Sequence, residues 1–487
     1  MSPRAHSGLL RWASTLAPTL ALAGCPGDDA GSGGSDSASE GGTADTTGGD
    51  APSSGLLACA AGESCTLVLV AQALDDRVEV YTARGPGERY RGAIDLDLKP
   101  NPMGDNSGDF LDEPYGMTID DSGLSLLLGH YPQRHAGSLL HFPHAFLAAQ
   151  PDGGTIAAST FFADGSFVAP VQGIALDEEE PIFVVTHPSG RLIVGVFDND
   201  LFQLESAWTN PGQLAIVDPA TGEVAKRPLT ELGGMGCAGA WSLVWLDDAH
   251  TRLGVGCDGD EGAALLDVSG LGEGTVAQAA AAIDGCIANV PFSDKRVRYL
   301  APDGAGGIVI AESTPQATGE DGRLYRFDAD CNALGAPGTI AAQYWEAREI
   351  VRLPHADGNR WLLATGRTEG HLHVVRDGMT GAEICSTLDE LDPYWTGDDG
   401  VPVHPFALAL DRAGHGLAIG AGPIDPPDDM PGSGRVLWLE LDGSVDPCDA
   451  SPITDTIDLS AAAPAVAADD PATWRRGPNV VFVQQYG

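Results

Sequence analysis

Arg298 and Arg348 each stand near the start of an apolar run, and a guanidinium grips carboxylate or phosphate in a two-pronged fashion. Glu113, Glu349 and His404 lie at or beside the starts of similar runs, as do Tyr115, Gln172, Trp241 and Phe406. Gathered at one place, these residues would hold a small anionic ligand. The plainer alternative is that both arginines pair with Glu113, Glu349 or other neighbouring acids. His130, His187 and His404 are candidates for general acid–base work. His371-x-His373 places two imidazoles on one side of a strand, where an exposed face is expected. Oxygen ligands abound, so calcium is the cofactor to test, with Glu113, Asp258, Asp260 and Asp398 as candidate ligands. Asp328-x-Asp330-x-Asn332 follows a calcium loop only in part, because Ala333 stands where glycine is needed. There is no Gly-x-Ser-x-Gly elbow, His-Glu-x-x-His pair or phosphate loop.

Positioning these residues falls to a repeated all-β body. From Leu56 onward, short apolar runs alternate with Gly/Asp/Pro turns. One recurrent line is an apolar alternation that ends, in most copies, in aspartate. It appears at Tyr115–Asp120, Gln172–Asp177, Trp241–Asp247, Arg298–Asp303, Arg348–Leu353 and Phe406–Asp411. A polar turn, a second apolar run, a third run after a glycine and a weaker fourth run follow. Four strands per unit, repeated, is the pattern of a β-propeller. Six units are complete. A seventh is split between Thr66–Leu98 and the C-terminal run Val480–Val483, which would close the ring within one blade. Seven blades is the expected count. Eight is the alternative, if Trp474-Arg475 begins another unit. Amphipathic helices are scarce; Thr275–Ile283 is the best exception and also reads as a strand.

In this arrangement the turns between first and second strands lie on one face, called the bottom. The long links, such as 99–113, 187–212, 391–404 and 421–434, gather on the other, called the top. Long loops on a rigid scaffold carry function, and the starts of the first strands face the same side.

Leu214-Ala-Ile-Val-Asp-Pro-Ala-Thr-Gly-Glu-Val224 resembles the YVTN-type propellers of exported bacterial proteins. That resemblance implies a fold without transferring an activity. Glu113-Pro114-Tyr115-Gly116 is similar to the first metal-ligand segment of gluconolactonase-type propellers, which implies a metal-assisted hydrolase as the alternative function. The further ligand positions of that family read Gln172, Trp241, Arg298 and Phe406 here, which departs from it. A quinone-dependent oxidoreductase is a third option, resting on His404 and the arginines.

The first 24 residues read as an export signal, with Arg4 and Arg11 ahead of an apolar stretch too short to span a bilayer. Leu22-Ala23-Gly24-Cys25 resembles the bacterial lipobox, which implies cleavage before Cys25 and lipid on its sulfur. Residues 25–55 form a Gly/Ser/Asp tether of roughly 30 Å end to end, and residues 56–487 form the propeller. Pro26, where an aspartate would favour inner-membrane retention, points to the outer membrane, with attachment through lipid only.

Eight further cysteines in an exported chain indicate disulfides, with 105 pairings open. Cys59 with Cys65 and Cys237 with Cys257 are the pairs that the sequence suggests. Acidic residues number 69 against 26 basic, for a net charge of −43. That excludes a nucleic-acid backbone as partner. The expected role is a binding or scaffold module whose top face holds an envelope protein, a glycan or a small anionic ligand.

Overall fold

The recurrent aspartates are turn formers. Asp120 Oδ1 accepts the Ser122 and Gly123 N–H groups. Asp247 Oδ1 accepts Thr251 N–H at 2.8 Å, and Asp411 Oδ1 accepts His415 N–H at 2.8 Å. Asp303 Oδ1 takes both Ala305 and Gly307 N–H at 2.8 Å. Each carboxylate folds the chain back on itself by satisfying amides that the turn would otherwise strand. An apolar strand, a turn of this kind and a second apolar strand make the hairpin at the heart of each blade.

A computed structural model describes residues 55–486 except 60–62, 73–75, 97, 99–112, 130–137, 151–153, 177–179, 198–211, 230–236, 238, 258–261, 291–295, 314–320, 345–346, 357, 367–369, 397–401, 424–431, 464–474 and 477. The signal, Cys25 and the tether up to residue 54 lie outside the described residues, as do His130, Asp258, Asp260 and Asp398.

Seven antiparallel sheets follow one another around the ring. Blade I pairs the C-terminal strand Pro478–Tyr486 with Cys65–Gln72, Arg77–Arg84 and Tyr90–Asp95. Blade II holds Glu113–Asp120, Gly123–Gly129, Ser138–Pro143 and Gln172–Ala175. The inner strands of blades III to VII are Glu180–Thr186, Ala240–Trp245, Arg296–Pro302, Ala347–Leu353 and Val403–Leu410. Each inner strand packs on the next, and Pro478–Tyr486 touches both Val403–Leu410 and Glu113–Asp120, so the circle is complete. The fold is a seven-bladed β-propeller closed by both chain ends. Arg475–Arg476 does not start an eighth blade; it pairs with Gly432–Ser433 in a separate ribbon.

One blade assignment differs from the sequence reading. Gln172–Ala175 is the outermost strand of blade II, paired with Ser138–Pro143. The inner strand of blade III begins at Glu180. The cause is an insertion between the third and fourth strands of blade II. It contains the short helix His144–Ala148 and a strand, Gly154–Ile156, that adds in parallel to the outer edge of blade I. The segment 275–283 forms a helix and not a strand: Val276–Ala282 is an α-helix started by a capping box between Thr275 and Gln278, with Thr275 and Ile283 as its caps.

Polar or covalent clips cross every seam. Thr118 and Thr186 hydroxyls join II to III at 3.0 Å. Arg191 donates to the carbonyls of Leu271 and Gly274, both at 2.5 Å, joining III to IV. Cys286–Cys331 joins IV to V. Arg326 with Asp377, and Trp361 Nε1 donating to Pro302 O at 3.0 Å, join V to VI. Cys385–Cys448 and the Arg360–Asp446 pair join VI to VII. The two hydrogen bonds from Arg360 hold the Asp446 carboxyl down to about 2. Arg84 joins VII back to I. The insertion strand spans I and II.

Beside the seam between VII and I, Gly416 leaves no room for a side chain: a Cβ would overlap the Trp438 ring, which is fully buried. Gly416→Ala is therefore expected to destabilise the protein by about 2 kcal/mol through overpacking. Denaturant unfolding with an unchanged midpoint would contradict this.

Candidate functional site

Every inner strand carries one β-bulge within its first four residues. The extra residue falls at Tyr115-Gly116, Ile182, Trp241-Ser242, Arg298, Arg348, Phe406 and Asn479. In four strands a proline comes immediately before it: Pro114, Pro181, Pro405 and Pro478. Proline has no N–H to give the ladder, so it suits the point where pairing is interrupted. A bulge takes a residue out of the ladder and re-aims its side chain. Seven bulges on one rim define the top mouth of the ring.

Five of the six strand starts named from the sequence are at these bulges. Gln172 is not: it is an exposed residue of an outer strand, lining a side cleft of about 740 Å³ with Leu98, Leu128, Phe167 and Ile174. Its place is taken by Ile182. The signal was legible, because Glu180-Pro181-Ile182 repeats Glu113-Pro114-Tyr115.

Tyr115, Trp241, Arg348, Glu349 and His404 are buried at the mouth. The Arg348 guanidinium of blade VI lies 4.8 Å from the centroid of Phe406 in blade VII, a cation–π contact across the seam. Glu349 Oε1 accepts the Ile350 N–H at 3.3 Å. Glu113 and Arg298 are in strands, and their side chains lie outside the described residues. Two further buried carboxylates occur in the same half of the ring and were not singled out in the sequence. Glu79 accepts from Tyr81 Oη at 2.6 Å and from Gln72 Nε2 at 2.9 Å. Glu312 accepts from Tyr325 Oη at 3.5 Å, and burial, with Glu312 adding to it, pushes the Tyr325 hydroxyl up. Both sit inside apolar-looking strands, where only a single acid in an otherwise apolar run marks them.

The histidines separate clearly. His404 is at the mouth. His187 is not on the top: it starts the turn between the first and second strands of blade III, on the bottom. There it bonds Ser189 Oγ at 2.8 Å, and burial, with His250 and Arg191 nearby, lowers it to about 4. His373 is fully buried and not on an exposed face. Its ring nitrogens bond Thr365 and Thr387 hydroxyls, both at 2.9 Å, and burial lowers it to about 3. A neutral imidazole held at both ends is a core fixture, not a metal ligand.

Among the described residues, no three His, Cys, Asp or Glu side chains gather to hold a metal ion. The Asp328 carboxylate is used within its own turn, accepting Asn332 and Asp330 N–H groups. The four disulfides are Cys59–Cys65, Cys237–Cys257, Cys286–Cys331 and Cys385–Cys448. They indicate an extracellular or periplasmic protein. Among the described residues no helix is long and apolar enough to cross a membrane.

No family model matches the chain, and no curated protein matches it. Solved structures do. A Bacteroides fragilis protein assigned as a 6-phosphogluconolactonase is similar at 10% identity and a TM-score of 0.47, covering 87% of this chain and 99% of its own. A Bacteroides uniformis protein with the same assignment gives 11%, 0.49, 87% and 99%. A hypothetical selenium-binding protein of Sulfolobus tokodaii gives 9%, 0.48, 91% and 96%. At such identities an activity does not transfer.

Proposed function

We propose that this protein is a lipid-anchored binding propeller of the bacterial envelope, whose top mouth takes a small ligand bearing a carboxylate or phosphate. The observation that carries the reading is Arg348: a wholly buried guanidinium, placed at a bulge and backed by Phe406, at the rim where all seven bulges meet. A planar cation held in this way is pre-ordered for two-pronged contact with an anion. Glu349 and His404 beside it would set orientation. The lipobox-like Leu22–Cys25 and the tether supply the anchor, with the outer membrane as its place. The chain enters the body on the bottom side: Gly55 packs against Leu147 O in the short helix whose first residue, His144, donates its N–H to Ser122 O in a bottom turn. The mouth therefore opens on the face away from Gly55.

Thermal unfolding of the body is expected to shift upward with one of phosphate, citrate or gluconate, by mass action on the native state. The shift is expected to vanish in Arg348→Met. An unchanged midpoint with all three, or a shift that survives in Arg348→Met, would refute the anion site. Cys25→Ser is expected to leave the membrane fraction; a variant that stays there would refute the lipid anchor separately.

A further inference from the structure

The four disulfides are of two kinds. Cys59–Cys65 and Cys237–Cys257 are shielded: their residues are 5%, 5%, 1% and 0% exposed. Cys286, Cys331, Cys385 and Cys448 are all only partly buried. The latter two bridges are also equivalent in position. Each runs from the outer strand of one blade to the loop between the third and fourth strands of the next. They yoke blade IV to V and blade VI to VII. The seam between V and VI has no disulfide among the described residues. It is held by Arg326 with Asp377 and by Trp361 with Pro302 O.

The yoked blades carry most of the mouth residues, Tyr115 of blade II being the exception. Trp241 belongs to IV, Arg298 to V, Arg348 and Glu349 to VI, and His404 and Phe406 to VII. The ring thus has two covalently locked pairs that meet where Arg298 and Arg348 stand on adjacent strands.

We propose that Cys286–Cys331 and Cys385–Cys448 form a reducible pair that sets the rigidity of the mouth. Thiol–disulfide exchange needs access to a sulfur, and these two bridges join the more exposed cysteines. A dithiol reductant of the thioredoxin class supplies the co-reactant. Its thiolate attacks one sulfur, the S–S bond breaks, and a mixed disulfide forms. Its second thiol then releases the protein. Each bridge gains two electrons and two protons, and the dithiol becomes a disulfide. With both yokes open, the IV–V seam is left with its apolar packing and the VI–VII seam with its packing and the Arg360–Asp446 pair, so blades V and VI are held less tightly against IV and VII. That this weakens ligand binding rests on the function proposed above; the order of reduction and the loosening do not.

The test uses the full-length folded protein, titrated with a thioredoxin-type dithiol and blocked with an alkylating agent, with every cysteine mapped by mass and Cys25 scored apart. Cys286, Cys331, Cys385 and Cys448 are expected to label at least about tenfold sooner than the other four. Hydrogen exchange in Arg296–Pro302 and Ala347–Leu353 should then rise about tenfold. Opening of a shielded bridge at the same rate, or unchanged exchange after the yokes open, overturns the proposal. The double variant Cys385→Ser, Cys448→Ser gives a second arm without reductant. Faster exchange in Ala347–Leu353 supports the proposal, and wild-type exchange there overturns it.

Discussion

A chain ending at Arg476, which lacks Pro478–Tyr486, is expected not to reach a native state. That segment is the inner strand of blade I, paired along its length with Cys65–Gln72 from Cys65↔Tyr486 to Gln72↔Pro478. It buries Val481, Phe482 and Val483. Each such side chain contributes roughly 1.5–3 kcal/mol. The ladder hydrogen bonds add about 1 kcal/mol apiece. The loss is on the order of 10 kcal/mol, which equals the whole stability of a typical domain. The damage is also topological. Without this strand, Cys65–Gln72 becomes a free, mostly apolar edge facing the central axis, which is a template for aggregation. The truncated chain should be recovered as aggregate. Adding the synthetic strand Pro478–Tyr486 in trans during refolding should restore a soluble fraction. A truncated chain with a cooperative transition at the full-length midpoint would show that the ring does not depend on this closure.

That closure was legible in the sequence because the repeat count fell one strand short at one end and had one to spare at the other. The all-β class, seven units and the aspartate turns were legible for a similar reason, since a pattern copied several times averages out local ambiguity. The site was read less completely. Gln172-Gly-Ile-Ala-Leu-Asp177 carries the same apolar-to-aspartate line as a true inner strand, because an outer strand also packs one side on its neighbour. The insertion after Pro143 displaced it by one strand, and only the Glu-Pro pair at Glu180-Pro181 marks the real start. The bulges themselves are invisible to a period-two reading, since one extra residue in a short run looks like a longer run. The two seam disulfides were not paired from sequence because neighbours across a blade boundary are 45 and 63 residues apart. With the strands assigned, Cys286 and Cys385 fall on outer strands, and Cys331 and Cys448 fall in the next inter-strand loop. His373 was misplaced because alternation says which side a residue faces, but not whether another blade covers that side.

Arg84→Met is expected to destabilise the protein by about 3 kcal/mol at neutral pH, the range for a partner removed from a largely buried ion pair. Arg84 stands at the end of the third strand of blade I and reaches into blade VII. NH1 donates to Asp411 Oδ2 at 2.5 Å, Nε donates to Glu440 Oε1 at 2.8 Å, and NH2 bonds Glu440 and the His415 carbonyl. The guanidinium also lies 5.1 Å from the Trp438 ring, whose Nε1 donates to Glu440 at 2.7 Å. Side-chain exposure is 31% for Arg84, 28% for Glu440 and 0% for Asp411, so the variant strands a fully buried carboxylate. Methionine keeps an unbranched side chain of similar reach and removes the guanidinium, with its charge and its hydrogen bonds. The hydrogen bonds from Arg84 hold the Glu440 carboxyl below the usual glutamate range. A carboxyl lowered on folding stabilises the protein above its unfolded value of roughly 4.3 and loses that contribution as pH falls through the folded value. The gap between wild type and Arg84→Met is therefore widest near pH 7 and narrows below about pH 4. The guanidinium, raised chiefly by its bond to Glu440, stays protonated throughout and adds no pH dependence in this range. Urea unfolding of both proteins from pH 7 to pH 3.5 measures the gap directly. Equal midpoints at pH 7 would mean that strand pairing alone closes the ring. A gap that stays constant down to pH 3.5 would show that the lowered Glu440 carboxyl is not the source of the stabilisation.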